Sequence, residues 1–282
     1  MRQRYFIFDV EKCIGCFNCL HACKDEHVGN DFSPITGPQK LHRQYWLTTT
    51  QRVRGQFPMI DAAYLTEPCG HCADAPCVKN GGGVVYRRAD GVVLIDQEKA
   101  LGAWDLSHLC PFGRISYNEE SGVSQKCTFC VHLLDQGWEQ PRCAQACPLR
   151  ALRMELAEPE EMERRVASGE LSPLDEAHNA CGSRLYARHL FRWNSIFLGG
   201  TAVVRRDGTE ECAEGCLAVL YQGERLLQEQ RTDCFGEFKF DGLSPGSYRI
   251  GLHMEGMREH WLETDAEESV YLGQLVLEPM RN

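Results

Sequence analysis

Cysteine dominates the chemistry this chain could do, at 16 of its 282 residues. Three runs place thiols a few residues apart. Cys13, Cys16, Cys19 and Cys23 form C-x2-C-x2-C-x3-C; Cys69, Cys72 and Cys77 form C-x2-C-x4-C; Cys127, Cys130, Cys143 and Cys147 form C-x2-C-x12-C-x3-C. Spacing of this kind turns several soft donors onto one centre, and thiolates suit iron–sulfur or zinc chemistry. A fourth run survives only in outline. Residues 96–110, D-Q-E-K-A-L-G-A-W-D-L-S-H-L-C, match residues 9–23, D-V-E-K-C-I-G-C-F-N-C-L-H-A-C, at Asp, Glu, Lys, Gly and the last Cys. Ala100, Ala103 and Leu106 stand where the first copy has Cys13, Cys16 and Cys19, while Cys110 answers to Cys23.

The first run is the pattern of two-cluster bacterial ferredoxins, in which three cysteines hold one iron–sulfur cluster and the fourth crosses to another. By that rule, a run that loses its own three ligands also frees its partner of a fourth. The run beginning at Cys69 has Gly81 where its fourth cysteine would stand. Gly81, Ala100, Ala103 and Leu106 are therefore one complete missing site. The remainder pairs into three: Cys13, Cys16, Cys19 with Cys147; Cys127, Cys130, Cys143 with Cys23; and Cys69, Cys72, Cys77 with Cys110. Competing readings fit less well. Disulfide scaffolds are shorter and denser in cysteine, and the amino terminus, M-R-Q-R-Y-F-I-F-D-V, lacks the apolar core of a signal peptide. Zinc motifs do not ordinarily run four cysteines at this spacing, nor carry the proline seen in Cys110-Pro111 and Cys147-Pro148.

The elements that must carry these loops are short. Tyr5–Val10 reads as a strand feeding the first loop. Residues 31–66 are an insertion broken by Pro34, Gly37, Pro38, Gly55 and Pro58, with a strand-like run at Gln44–Thr50. Val84–Tyr86 and Val92–Ile95 flank Asp90-Gly91, a hairpin signature. After a ferredoxin-type domain over 1–155, residues 156–196 read as a linker. Its helix lies near Glu158–Glu170, with acids early and bases late, and Leu185–Trp193 is an aromatic and basic stretch suited either to docking on another subunit or to closing this chain's own core. From 197 to 282 the pattern is all-β: Thr201–Arg206 before Asp207-Gly208, then Leu217–Tyr221, Glu237–Phe240, Tyr248–Leu252 and Tyr271–Leu277. The fold class is α+β. Cys181, Cys212, Cys216 and Cys234 fall outside the ferredoxin pattern and read as small hydrophobes or a casual thiol pair.

A net charge of −10 argues against a nucleic-acid partner. No stretch is apolar over the length of a membrane span, and the chain reads as a cytoplasmic protein. It shows no nucleophile–base pair; His71, His108 and His132 read as structural or as tuning groups near sulfur.

The run at 232–250, T-D-C-F-G-E-F-K-F-D-G-L-S-P-G-S-Y-R-I, resembles prealbumin-like (carboxypeptidase-regulatory-like) domains. Residues 1–195 resemble the ferredoxin-type electron-transfer subunits accompanying molybdenum or tungsten enzymes of the dimethyl sulfoxide reductase superfamily. The missing fourth site and the terminal sandwich narrow the likeness to small subunits of the pyrogallol–phloroglucinol transhydroxylase and resorcinol hydroxylase type. That resemblance implies a double ferredoxin-like domain followed by a prealbumin-like sandwich. It also implies three [4Fe-4S] clusters on the twelve cysteines, and a large catalytic partner holding molybdopterin guanine dinucleotide with Mo or W. The complex would act on phenolic substrates, with no active site on this chain. Subunits of respiratory reductases for polysulfide, sulfoxide or arsenate are the alternative, as is a structural subunit with redox-idle clusters. By family analogy the gutted site is third in line, which would leave the cluster of Cys69, Cys72, Cys77 and Cys110 separated from the other two.

Overall fold

The computed structural model describes residues 1–102, 104–206 and 208–280. Ala103 and the Asp207 half of the expected turn lie outside these described residues. The chain divides into two compact units, Met1–Gln51 with Tyr64–Leu190, and Arg52–Ala63 with Phe191–Asn282.

The first unit is organised on the strand Gln3–Asp9, which pairs antiparallel with Leu152–Ala157 and parallel with Leu185–Arg188. Residues Tyr5 to Asp9 are all buried, as a central strand covered on both faces must be. On one face Phe6 stacks on Phe129 at 4.1 Å between ring centroids; on the other Tyr5 and Ile7 pack with Met162 and Leu171. Met162 belongs to the helix Pro159–Ala167, which has proline in its first turn, Glu160 and Glu161 beside it, and Arg164 and Arg165 at its end. That polarity matches the helix dipole. Leu185–Arg188, suited by sequence either to docking or to the core, lies in the core sheet, with Leu185 and Ala187 buried. Two antiparallel hairpins, Val85–Arg87 with Val93–Ile95 and Ile115–Asn118 with Val123–Lys126, follow the run at Cys69–Cys77 and lead into Cys127 respectively.

The second unit holds two four-stranded sheets. Ile196–Arg206 pairs with Thr209–Cys212, Glu237–Leu243 and, in parallel, Val270–Leu277. The other sheet runs Arg225–Arg231, Leu217–Gln222, Gly246–His253, His260–Ala266. Leu198, Phe240, Leu220, Ile250 and Leu252 share the apolar core of this unit. The long hairpin Leu47–Gln56 with Met59–Pro68 is divided: its base belongs to the first unit and its tip, residues 52–63, to the second. Arg54 at this tip is buried and donates to Asp241 at 2.9 and 3.0 Å and to Asp61.

Candidate iron–sulfur sites

The first set of thiols is made by a loop, a helix and the turn that follows the short helix Arg142–Gln145. Gly15 (φ +66°) turns the loop between Cys13 and Cys16, and a Cβ there would lie 2.3 Å from the Tyr64 ring. Only glycine meets both demands. Phe17 (φ +59°) opens the helix Asn18–His27, which carries Cys19 and, one turn on, Cys23. Cys13, Cys16, Cys19 and Cys147 line one cavity, with Thr49 and Thr66 on its wall. Thr49 and Thr66 hydrogen-bond each other at 3.0 Å, and their hydroxyls reach Cys19 and Cys13 respectively. Burial pushes the Cys13 and Cys19 thiols up, and each also feels the Cys147 sulfur.

The second set is deeper. Cys23, Cys127, Cys130 and Cys143 are all buried. Phe129 (φ +58°) and Cys130 (φ +49°) turn the loop so that the Phe129 N–H donates to the Cys127 sulfur at 3.4 Å. Cys143 sits on the short helix Arg142–Gln145. Burial drives the Cys23 and Cys143 thiols well above their ordinary range; Cys127 and Cys130 add to this at Cys23, and Cys23, Cys130 and Cys127 add to it at Cys143.

Cys69, Cys72, Cys77 and Cys110 line a third cavity, which His71 and Lys126 also border. The Arg114 N–H donates to the Cys110 sulfur at 3.4 Å. Burial and then the neighbouring Cys69, Cys181, Cys110 and Cys77 push the Cys72 thiol up to about 12. All sixteen cysteines are free of disulfides. Three crowded sets of unpaired soft donors, each with a backbone N–H aimed at one of its sulfurs, fit iron–sulfur clusters. Left as thiols, such groups hold their protons, so metal uptake would release them.

The fourth position is filled. Ala100 and Leu106 are buried in one apolar core with Val85, Val93, Ile95 and Ile115. A Cβ at Gly81 would lie 2.4 Å from the Cys77 carbonyl oxygen and 2.9 Å from Val85.

Residues 60–157 match the 4Fe-4S dicluster domain. The chain is 38% identical over 281 residues to the pyrogallol hydroxytransferase small subunit of Pelobacter acidigallici, covering 98% of this chain and all of that one. It is 33% identical to the probable anaerobic dimethyl sulfoxide reductase chain YnfG of Escherichia coli, over 62% of this chain and 84% of that one. To the iron–sulfur subunit of the arsenate respiratory reductase of a Shewanella species it is 28% identical, over 51% of this chain and 78% of that one. The chain belongs to the family of iron–sulfur small subunits of the dimethyl sulfoxide reductase superfamily.

In this small subunit the sites are not divided as the family analogy had it. Cys19 and Cys23 share a helix, which joins the first set to the second. Cys69 lies close enough to Cys127 for its thiol to raise, and its backbone N–H to lower, the proton affinity of the Cys127 sulfur, which joins the second set to the third. The apolar core in the vacated position includes Cys72 and Cys77 but none of the second set. The third set therefore lies beside the second, and the expected separation of Cys69, Cys72, Cys77 and Cys110 from the other two sets is corrected. Sequence reasoning missed Thr49, Thr66 and Lys126 as groups near sulfur. Lys126 is buried, with its ammonium on the carbonyls of Val93 and Cys127; its place directly before Cys127 was the available signal. Cys181 packs against the apolar cluster of the third site, Cys216 is buried in the sandwich, and Cys212 and Cys234 are exposed. His132 pairs with Glu26 at 3.0 Å and stacks on Phe32, a structural role.

Proposed function

We propose that this chain is the electron-transfer subunit of a molybdenum or tungsten enzyme acting on polyhydroxylated aromatic substrates by hydroxylation, dehydroxylation or transhydroxylation. The observation that carries the reading is full-length similarity to a hydroxytransferase small subunit, sandwich included, where the match to the reductase chain YnfG stops at 62% of this chain. Three [4Fe-4S] clusters would be held in crossed ferredoxin fashion by Cys13, Cys16, Cys19 and Cys147, by Cys127, Cys130, Cys143 and Cys23, and by Cys69, Cys72, Cys77 and Cys110. When bound, such clusters supply one-electron carriage at potentials set by charge and hydrogen bonds at sulfur. The chain's own part is to exclude water around the second set, direct N–H and O–H groups at sulfur, and keep the three sets contiguous. Contiguity favours electron passage over a merely structural role. The first set opens beside Ile14, Phe17 and Leu149, at 62%, 37% and 47% exposure, an apolar rim suited to a large subunit carrying molybdopterin guanine dinucleotide. Among the described residues no helix is long and apolar enough to cross a membrane.

The test is anaerobic purification of the tagged chain from its native host. A co-purifying large subunit with molybdenum or tungsten, and reduced-cluster resonances that respond to trihydroxybenzenes, would support the reading. A partner active only on sulfoxide, polysulfide or arsenate would overturn it.

A further inference from the structure

The third site contains a polar group whose partner within the protein is missing. His71 lies between Cys69 and Cys72, is only 1% exposed, and borders the cavity lined by the four thiols. Its Nδ1 accepts the Val93 backbone N–H at 3.0 Å. A backbone amide can only donate, so Nδ1 carries no proton and the ring's proton sits on Nε2. That Nε2 is fully buried and has no hydrogen-bond partner among the described residues. A buried donor left unpaired costs about 1–3 kcal/mol, which a folded core seldom leaves uncompensated.

The ring is held firmly. The His71 backbone is in the left-handed region at φ +44°, its carbonyl accepts from the buried Arg184, and its ring packs 5.0 Å from that of Phe129, in the second set's loop. The side chain is therefore wedged between the second and third sets of thiols.

We infer that His71 Nε2–H donates a hydrogen bond to a sulfur of the cluster held by Cys69, Cys72, Cys77 and Cys110, and raises that cluster's reduction potential. The inference rests on the cluster assignment proposed above. A donor at sulfur stabilises the more negative, reduced state more than the oxidised one. The buried ammonium of Lys126, on the wall of the same cavity, acts in the same sense. An electron arriving from the second cluster, which is oxidised by one as the third is reduced by one, rests at the third. With the fourth position filled by Ala100, Leu106 and Gly81, the row ends in a store for an electron.

The experiment uses the intact complex. Histidine labelled with 15N, read by pulsed electron paramagnetic resonance on the partly reduced protein, should give histidine nitrogen coupling on one cluster. That coupling should vanish in His71→Asn, asparagine being tolerant of left-handed backbone. A redox titration of His71→Asn should show one midpoint potential lowered and two unmoved, at unchanged iron content. Reduced-cluster signals that respond neither to the label nor to the substitution would overturn the inference while leaving the cluster assignment standing. Absence of any reduced-cluster signal from a protein rich in zinc would instead overturn the assignment. If the variant loses a cluster, the labelled wild-type protein alone decides.

Discussion

Replacing Asp61 by asparagine should loosen the sandwich although the residue lies far from it in sequence. Asp61 sits on the hairpin tip that packs in the second unit, accepting from Arg54, from Arg192 at 2.9 Å and from Lys239 at 3.0 Å. Burial alone would raise its carboxyl, but the hydrogen bonds of Arg54 and Lys239 and the charges of Lys239 and Arg192 outweigh it and hold the group at about 2 instead of 3.8. That difference corresponds to about 2 kcal/mol of native stability at neutral pH. Breaking a buried pair outright costs about 3–5 kcal/mol, but Arg54 keeps Asp241 at 2.9 and 3.0 Å, so the lower figure applies. Because the folded carboxyl titrates below the unfolded one, the contribution is complete above about pH 4 and is lost as pH falls through about 2. Amide exchange of peptides from Glu237–Leu243 at pH 7 should accelerate roughly thirtyfold in Asp61→Asn. The difference between variant and wild type should shrink toward pH 2. Exchange rates within twofold of wild type at pH 7 would refute the argument that the tip is bound into the sandwich by this network.

Three further outcomes are expected. Cys147→Ser should perturb the cluster of Cys13, Cys16 and Cys19, seen by anaerobic spectroscopy, and spare the resonances of the set containing Cys143. Gly15→Ala, forced into both a left-handed backbone and the Tyr64 ring, should cost about 1–3 kcal/mol locally and lower iron content toward about eight per chain as the first cluster is lost. Truncation after Trp193 should leave all three clusters but strip Arg54 of Asp241 and the hairpin tip of Phe197, making residues 52–63 sensitive to limited proteolysis and weakening co-purification of a large subunit.

Much of the grouping of the thiols was legible because short gaps hold neighbouring cysteines within one loop or one helical turn. Turn-length gaps between cysteines, the Asp90-Gly91 hairpin and the charge gradient of Pro159–Ala167 are local signals, and the structure realises each locally. What was not legible depends on contacts distant in sequence. Arg225–Arg231 and Thr209–Cys212 are exposed edge strands whose charged residues mask any alternation. Leu185–Arg188 pairs in parallel with a strand about 180 residues earlier, so its aromatic and basic character alone could not choose between docking and core. Thr49 and Thr66 meet at the first site only because the long hairpin folds back on itself. The adjacency of the second and third sets turned on Cys69 lying beside Cys127, which no spacing rule encodes.

The central claim is that the row holds three clusters and a filled fourth position. Iron and acid-labile sulfide, determined together with zinc on anaerobically purified protein, test it most directly. The account predicts about twelve iron and about twelve sulfide per chain with negligible zinc; about sixteen of each, or zinc as the dominant metal, would contradict it.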